Sequence, residues 1–334
     1  MDIRIDSREV VKDLLQGIAP PRPLFLPIVF SHGARIENLL LPAFLANPTK
    51  ITNALRQIRS HLRSDGVTCY FDPFLELEAL GGVLDWDECG RPSVRWPTNP
   101  HRGELPEGLC SPDELPTRGR VPVAVEVIRR MKSLLRDECV LFAGITGPFT
   151  LAARLEQLDG NSLAEIKPSN EAVEFASSAI APIATAFLEA GANMIFICEE
   201  MFPARDAFPD SASSLATTMN IIRFYEAIPV LLLPAGLRNV EMILQQSWDC
   251  IVCPGLQGIP PVACESFLKQ RPPNLGLAVP VDGNLTSPTD AANCSETLRA
   301  LISRFHPVIV TTAGDMPAST DLKRLNQLRE IVIA

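Results

Sequence analysis

Short apolar runs rich in β-branched residues alternate along this chain with longer segments whose apolar positions recur every three or four residues. No other property narrows its fold so far. A run of four to eight such residues reads as a strand buried on both faces, and a 3.6-residue repeat as a helix lying against it. Strict alternation of the two produces βαβ units and therefore a parallel sheet. Eight runs qualify: 24–30 (LFLPIVF), 68–71 (TCYF), 140–144 (VLFAG), 194–198 (MIFIC), 230–233 (VLLL), 250–253 (CIVC), 277–281 (LAVPV) and 308–312 (VIVTT). Helical periodicity covers 50–63, 121–135, 170–189, 211–225, 239–246, 288–304 and 320–332. Eight parallel strands ringed by helices make a closed (β/α)8 barrel, whose chemistry gathers at the C-terminal strand ends. The expectation is therefore an α/β fold, a single TIM-barrel domain over residues 1–334 with an insertion after the second strand.

The insertion, 84–117, is proline-rich, holds two of the three tryptophans and lacks periodicity, so it reads as irregular. Inserts of this kind carry lids or subunit contacts, which leaves a homodimer open. The net charge is −9 with no Lys/Arg stripe, which argues against nucleic acid or an anionic membrane surface and for a small-molecule or protein partner. No sequence stretch reads as a bilayer-spanning run, and residues 1–16 are charged throughout. Nine scattered cysteines, several inside apolar runs, read as buried thiols without disulfides in a reducing compartment, so a cytoplasmic location is expected.

Polar residues that end the strands are the candidates for chemistry. Asp72 precedes Pro73 at the end of the second strand: a carboxylate in the mouth, or a turn-forming Asp. Glu199 and Glu200 follow the fourth strand, as site carboxylates or as a loop start and helix cap. His32 and Arg35 form a His/Arg pair after the first strand, able to bind a carboxylate or phosphate of a ligand. Asp282 and Asn284 flank Gly283 after the seventh strand and can hydrogen-bond a ligand, unless the group is simply a tight turn. Cys250 and Cys253 make a Cys-x-x-Cys, but residues three apart on a strand face opposite ways, so Cys253 alone is the better site residue. Glu76 and Glu78 read as solvated helix positions, and His61, His101 and His306 as structural or exposed.

Four blocks in order resemble one family. Phe71-Asp72-Pro73 with Glu78-Ala79-Leu80-Gly81 is similar to the segment of uroporphyrinogen decarboxylase-like proteins in which a catalytic aspartate ends a strand. Gly144-Ile145-Thr146-Gly147-Pro148-Phe149-Thr150-Leu151 is similar to the family's strand and helix start. Gly191-Ala192-Asn193 and Gly283-Asn284-Leu285 with Pro288 complete the set. The resemblance implies that Asp72 is catalytic and that Phe149 and Arg154, at the helix start, meet substrate.

The resembled family implies two activities. Decarboxylation of a porphyrinogen needs two arginines after the first strand, a tyrosine where Arg154 stands and a histidine after the last strand; here 30–35 keeps one arginine and 313–317 has no histidine. Methyl transfer to or from a corrinoid (cobalamin), free or on a corrinoid protein, typically uses zinc held by His-x-Cys after the fifth strand and Cys after the last. Leu233-Pro234-Ala235-Gly236 and Ala313-Gly314-Asp315 stand there instead, so Cys253 with Glu200 is the remaining metal candidate. The text of the blocks, with Gly90-Arg91-Pro92, is nearer the methyltransferase branch. Methyl transfer, with Asp72, Glu199 and Glu200 catalytic, is therefore the first expectation. A porphyrinogen decarboxylase, or a non-catalytic tetrapyrrole- or protein-binding barrel, is the alternative.

Overall fold

The computed structural model describes residues 6–88, 90–98, 100–158, 167–201, 211–235, 250–255, 276–281 and 288–334. The elements run α1 (Ser7–Leu15), β1 (Leu24–Phe25), α2 (His32–Ile36), α3 (Leu41–Leu45), α4 (Pro48–Leu62), β2 (Gly66–Tyr70), α5 (Leu75–Ala79), β3 (Val83–Trp86) and β4 (Pro92–Arg95). They continue with a 3-10 turn (Pro112–Thr117), α6 (Val121–Leu135), β5 (Val140–Thr146), α7 (Pro148–Leu155), α8 (Asn170–Glu189), β6 (Met194–Cys198) and α9 (Ser211–Phe224). The last third holds β7 (Ile228–Ala235), β8 (Ile251–Gly255), β9 (Ala278–Val281), α10 (Pro288–Phe305), β10 (Ile309–Thr312) and α11 (Leu322–Ile333).

All eight apolar runs form strands, and all pair in parallel. They make two ladders, β2-β5-β6-β7-β8 and β1-β10-β9, joined among the described residues by a bridge between Val252 and Leu277. β1 is shorter than the run 24–30 because Pro27 has no N–H to give a ladder. The chain nevertheless stays beside β10: Leu26 N donates to Val310 O at 2.8 Å, and past the proline Ile28 N donates to the Thr312 hydroxyl at 3.0 Å. Between β1 and β2 a side chain does the work of a ladder. Asp65 accepts from Phe25 N at 2.7 Å and takes both Nη atoms of Arg22, at 2.7 and 2.9 Å, while Asp65 N donates to Phe25 O.

Alternation along the strands divides the core in two. Leu26, Phe142, Phe196, Val230 and Cys253 fall in one apolar cluster; Leu141, Ile195, Leu231 and Val252 fall in another, shared with α4, α6 and α8. Side chains of a strand buried on both faces must separate in this way, inward and outward.

Two expectations need correcting. The insertion is not irregular throughout, because β3 and β4 form an antiparallel hairpin with Val83 opposite Arg95 and Trp86 opposite Pro92. Asp87 closes it by accepting from Arg91 N at 2.8 Å, and Gly90 supplies a positive φ of 73° in the turn. In addition, α8, at 20 residues, is apolar and long enough by composition to cross a membrane, although 56% of its most apolar window is buried. It packs between α7 and α9, so its apolarity follows from being covered on several sides. The helical expectation over 239–246 lies outside the described residues.

Candidate active site

The turn after β2 sets the first carboxylate. Asp72 Oδ1 accepts from Phe74 N at 3.0 Å, a local bond that Asp before Pro is suited to make. The residue is buried, and its Oδ2 lies 2.8 Å from Nη1 of Arg120. Arg120 precedes α6, is itself buried, and its Nε donates to Glu78 Oε2 at 2.6 Å. Asp72 and Arg120 thus form a buried ion pair. Burial pushes the Asp72 pKa up, and the Arg120 guanidinium pulls it back. Glu78 is therefore the outer member of an Asp72–Arg120–Glu78 chain, which corrects its reading as a solvated residue.

Glu76 corrects a second such reading. It is fully buried and accepts from the backbone N and hydroxyl of Thr146, at 2.9 and 2.7 Å. The short α5 turns its first residues toward the end of β5, so a position that the helical pattern would leave in water is enclosed. Burial again raises its pKa, against the two bonds from Thr146.

Glu199 and α7 clasp each other. The carboxylate accepts from Phe149 N at 3.2 Å, Thr150 N at 2.9 Å and the Thr150 hydroxyl at 2.6 Å, which satisfies donors that a helix start leaves open. In return the Thr150 oxygen accepts from Glu200 N at 2.8 Å. Glycine at 147 makes room: a Cβ there would lie 2.2 Å from Glu199 Cδ. Burial outweighs the three donors and pushes the Glu199 pKa up to about 8.

Glu200, half-exposed at the rim, is 2.7 Å from Arg154 Nη2. The Arg154 guanidinium lies 5.3 Å from the centroid of Phe74 and also donates to the Pro73 carbonyl. On the far side Asp315, after β10, accepts from Phe30 N at 2.7 Å and Ser31 N at 2.8 Å. Its burial pushes the pKa up to about 6.

These groups enclose one cavity of about 410 Å³. Asp72, Glu199, Glu200, Asp315 and Arg154 border it, and Phe71, Phe74 and Trp86 give it aromatic walls. Gly144 admits the Phe71 ring, which would lie 2.5 Å from a Cβ at that position. The volume suits a small organic ligand, and the mix of apolar wall with a few fixed polar groups is that of a binding site.

Of the residues singled out from sequence, Asp72, Arg154, Glu199 and Glu200 come together here. Four others do not border the cavity among the described residues. His32 is buried against the Pro317–Ala318 turn, with its pKa lowered by burial and by Arg35, and Arg35 Nη1 donates to Ala318 O at 3.0 Å; α2 carries both away from the mouth. Phe149 is wholly buried in the core under α7. Cys253 is wholly buried in the inner cluster, apart from Cys250 in the outer one, and burial drives its thiol far above the ordinary range. Asp282 and Asn284 lie outside the described residues.

Among the described residues, Cys253 and Glu200 do not make a zinc site: Cys253 is wholly buried in the inner cluster and does not border the cavity, whereas Glu200 stands at its rim. Glu200 is engaged by Arg154, and the described residues contain no group of three or more His, Cys, Asp or Glu placed to hold a metal ion. Arg120, Glu76, Thr150 and Asp315 were missed in the sequence. Only Asp315, a polar residue just past the last strand, carried the signal that marked Asp72.

The family model described as uroporphyrinogen decarboxylase (URO-D) matches residues 7–207, more than half of the chain. A methylated-thiol–coenzyme M methyltransferase of Methanosarcina mazei is 35% identical over 85 residues, 25% of this chain and 22% of that protein. The methylcobamide:CoM methyltransferase MtaA of Methanosarcina barkeri is 28% identical over 138 residues, 40% of each. The matched stretches thus span well under two thirds of these relatives. A solved methyltransferase from Methanosarcina mazei superposes with a TM-score of 0.75 over 98% of both chains at 17% identity, a likeness of fold.

Proposed function

Because this chain belongs to the uroporphyrinogen decarboxylase family, we propose that its strand-end cavity is the active site of a methyltransferase, which moves a methyl group between a small donor or thiol and a corrinoid. The corrinoid is free cobalamin or is carried by a partner protein, and enters as a substrate. The relatives whose printed names include methylcobamide and coenzyme M support this reading. On it, the eight parallel strands form a closed barrel, with the Asp65 clasp standing in for the ladder between β1 and β2.

The observation that carries the choice is the sign of the charge in the mouth. Four carboxylates border the cavity, and the described cation there, Arg154, is already paired with Glu200. A tetrapyrrole bearing many carboxylates would be repelled, and its desolvated anions would find no partners. Arg35, the arginine kept after the first strand, spends its guanidinium on the Ala318 carbonyl outside the cavity.

Each group then has a role. The apolar wall excludes water around the transferred methyl. Asp72, fixed by Arg120 and the Phe74 N–H, sets a carboxylate on the cavity wall, able to take a proton from a thiol or face a cationic centre. Glu199 and Thr150 hold the start of α7, and with it Arg154, against the post-β6 loop.

The test is spectroscopic: purified protein with methylcobalamin and a panel of thiols including coenzyme M, and in the reverse sense cob(I)alamin with methyl donors. Exchange of the methyl group above the protein-free rate is expected. No exchange with either form, together with tight binding of a porphyrinogen, would replace this reading with the decarboxylase or the non-catalytic barrel.

A further inference from the structure

We propose that the small methyl donor of this site is an onium cation, a quaternary ammonium or sulfonium compound, rather than a neutral thioether or an anion; this rests on the methyltransferase reading above. Two carboxylates on the cavity wall, Glu199 buried and Asp315 partly buried, lack a countercharge among the described residues. Among the described residues, Glu199 is surrounded by the backbone donors of Phe149 and Thr150 and the Thr150 hydroxyl, and Asp315 by the backbone donors of Phe30 and Ser31. Neither has a cationic partner there, whereas Asp72 and Glu200 have Arg120 and Arg154. Burying a carboxylate with only neutral donors is costly, and a positive ligand between Glu199 and Asp315 removes that cost.

The way those carboxylates are bonded narrows the class of cation. Their oxygens already accept hydrogen bonds from the protein, so a bound cation that draws Glu199 into its ionised form meets negative charge but little room for a further donor. A primary ammonium brings three N–H groups that need acceptors, while a methylated onium brings none and presents a shell of methyl groups. Such a shell matches a wall of Phe71, Phe74 and Trp86, since aromatic faces attract quaternary cations. The cavity already holds one cation on these terms: the Arg154 guanidinium over Phe74, paired with Glu200.

The transfer balances without an added acid. The electron pair of cob(I)alamin attacks the methyl carbon as the C–N or C–S bond breaks; the leaving pair returns to nitrogen or sulfur. The products are methylcobalamin and a neutral tertiary amine or thioether.

Calorimetric titration tests this on the full chain, with choline, its uncharged isostere 3,3-dimethyl-1-butanol, and acetate as the anion. Choline is expected to bind at least tenfold more tightly than the isostere. Trp86→Leu, which keeps an apolar wall on the solvent-side hairpin, is expected to weaken choline several-fold and leave the isostere unchanged. Equal affinity for the two, binding of neither, or a stronger response to acetate overturns the proposal, as does an equal loss of both ligands in W86L. The two readings fail separately. Methyl exchange from neutral thioethers with no affinity for choline removes only the onium; choline binding without methyl exchange removes the methyltransferase and keeps the cation site.

Discussion

Substituting alanine at Gly147 should unlock the join between α7 and the loop after β6. Gly147 has φ −71° and ψ 157°, a conformation any residue adopts, so the backbone gives no reason for glycine. Space does: an added Cβ would meet Glu199 Cδ at 2.2 Å, Oε1 at 2.3 Å and Cγ at 2.6 Å. Glu199 has to swing out, and the Phe149 and Thr150 N–H groups and the Thr150 hydroxyl then lose their acceptor. Each buried unsatisfied group costs about 1–3 kcal/mol, so partial relaxation leaves a loss of about 3–5 kcal/mol. At a urea m-value of about 3 kcal/mol/M for a large domain, the midpoint falls by about 1–1.7 M. The assay is urea unfolding of G147A, E199A and the double variant. If the clash with Glu199 is the cause, the double variant is no less stable than E199A alone, giving a large coupling term. A loss below 1 kcal/mol, or additive losses, would mean that the clash with Glu199 is not what requires glycine at 147.

Burial raises Glu199 from its ordinary 4.5 to about 8 and Asp315 from 3.8 to about 6, so between roughly pH 4 and 8 the native state binds more protons than the unfolded one. Stability is then full below that window and declines as pH rises through it, by roughly 2 kcal/mol between pH 6 and 8 from Glu199 alone; thermal melts should show this slope, and E199Q should flatten it. Arg120→Met removes the charge that pulls the Asp72 pKa down, so the limb of the pH–rate profile that needs ionised Asp72 should move to higher pH. An unmoved limb would mean that Arg120 acts only in packing. Asp65→Ala strips the acceptor from Arg22 and Phe25 N at the join of β1 and β2 and should cost about 3 kcal/mol by urea unfolding; an unchanged midpoint would mean that this join does not hold the sheet.

The parallel framework was readable because burial on both faces leaves an uninterrupted apolar run, and each of the eight runs became a strand. Boundaries failed where a side chain replaced the ladder, as at Pro27 and Thr312, since periodicity does not register such a substitution. The site was readable in part for the same reason. Asp72, Glu199 and Glu200 lie directly after strands, and strand direction alone brings them to one rim. Arg120 stands 48 residues beyond Asp72 with nothing local to connect them, and Glu76 reads as exposed until α5 is seen folded against β5. His32, Arg35 and Phe149 mislead because being near a strand end in sequence does not fix which way a short helix turns its side chains.

On the proposed function, methyl exchange at this cavity depends on Asp72, the carboxylate ending β2. The most direct measurement is the methyl-exchange rate of Asp72→Asn, taken with the unfolding midpoint of the same preparation. A fall of roughly a hundredfold or more in rate, with the midpoint close to that of the parent protein, is the predicted result. A folded D72N variant that exchanges methyl groups at the parent rate would contradict it.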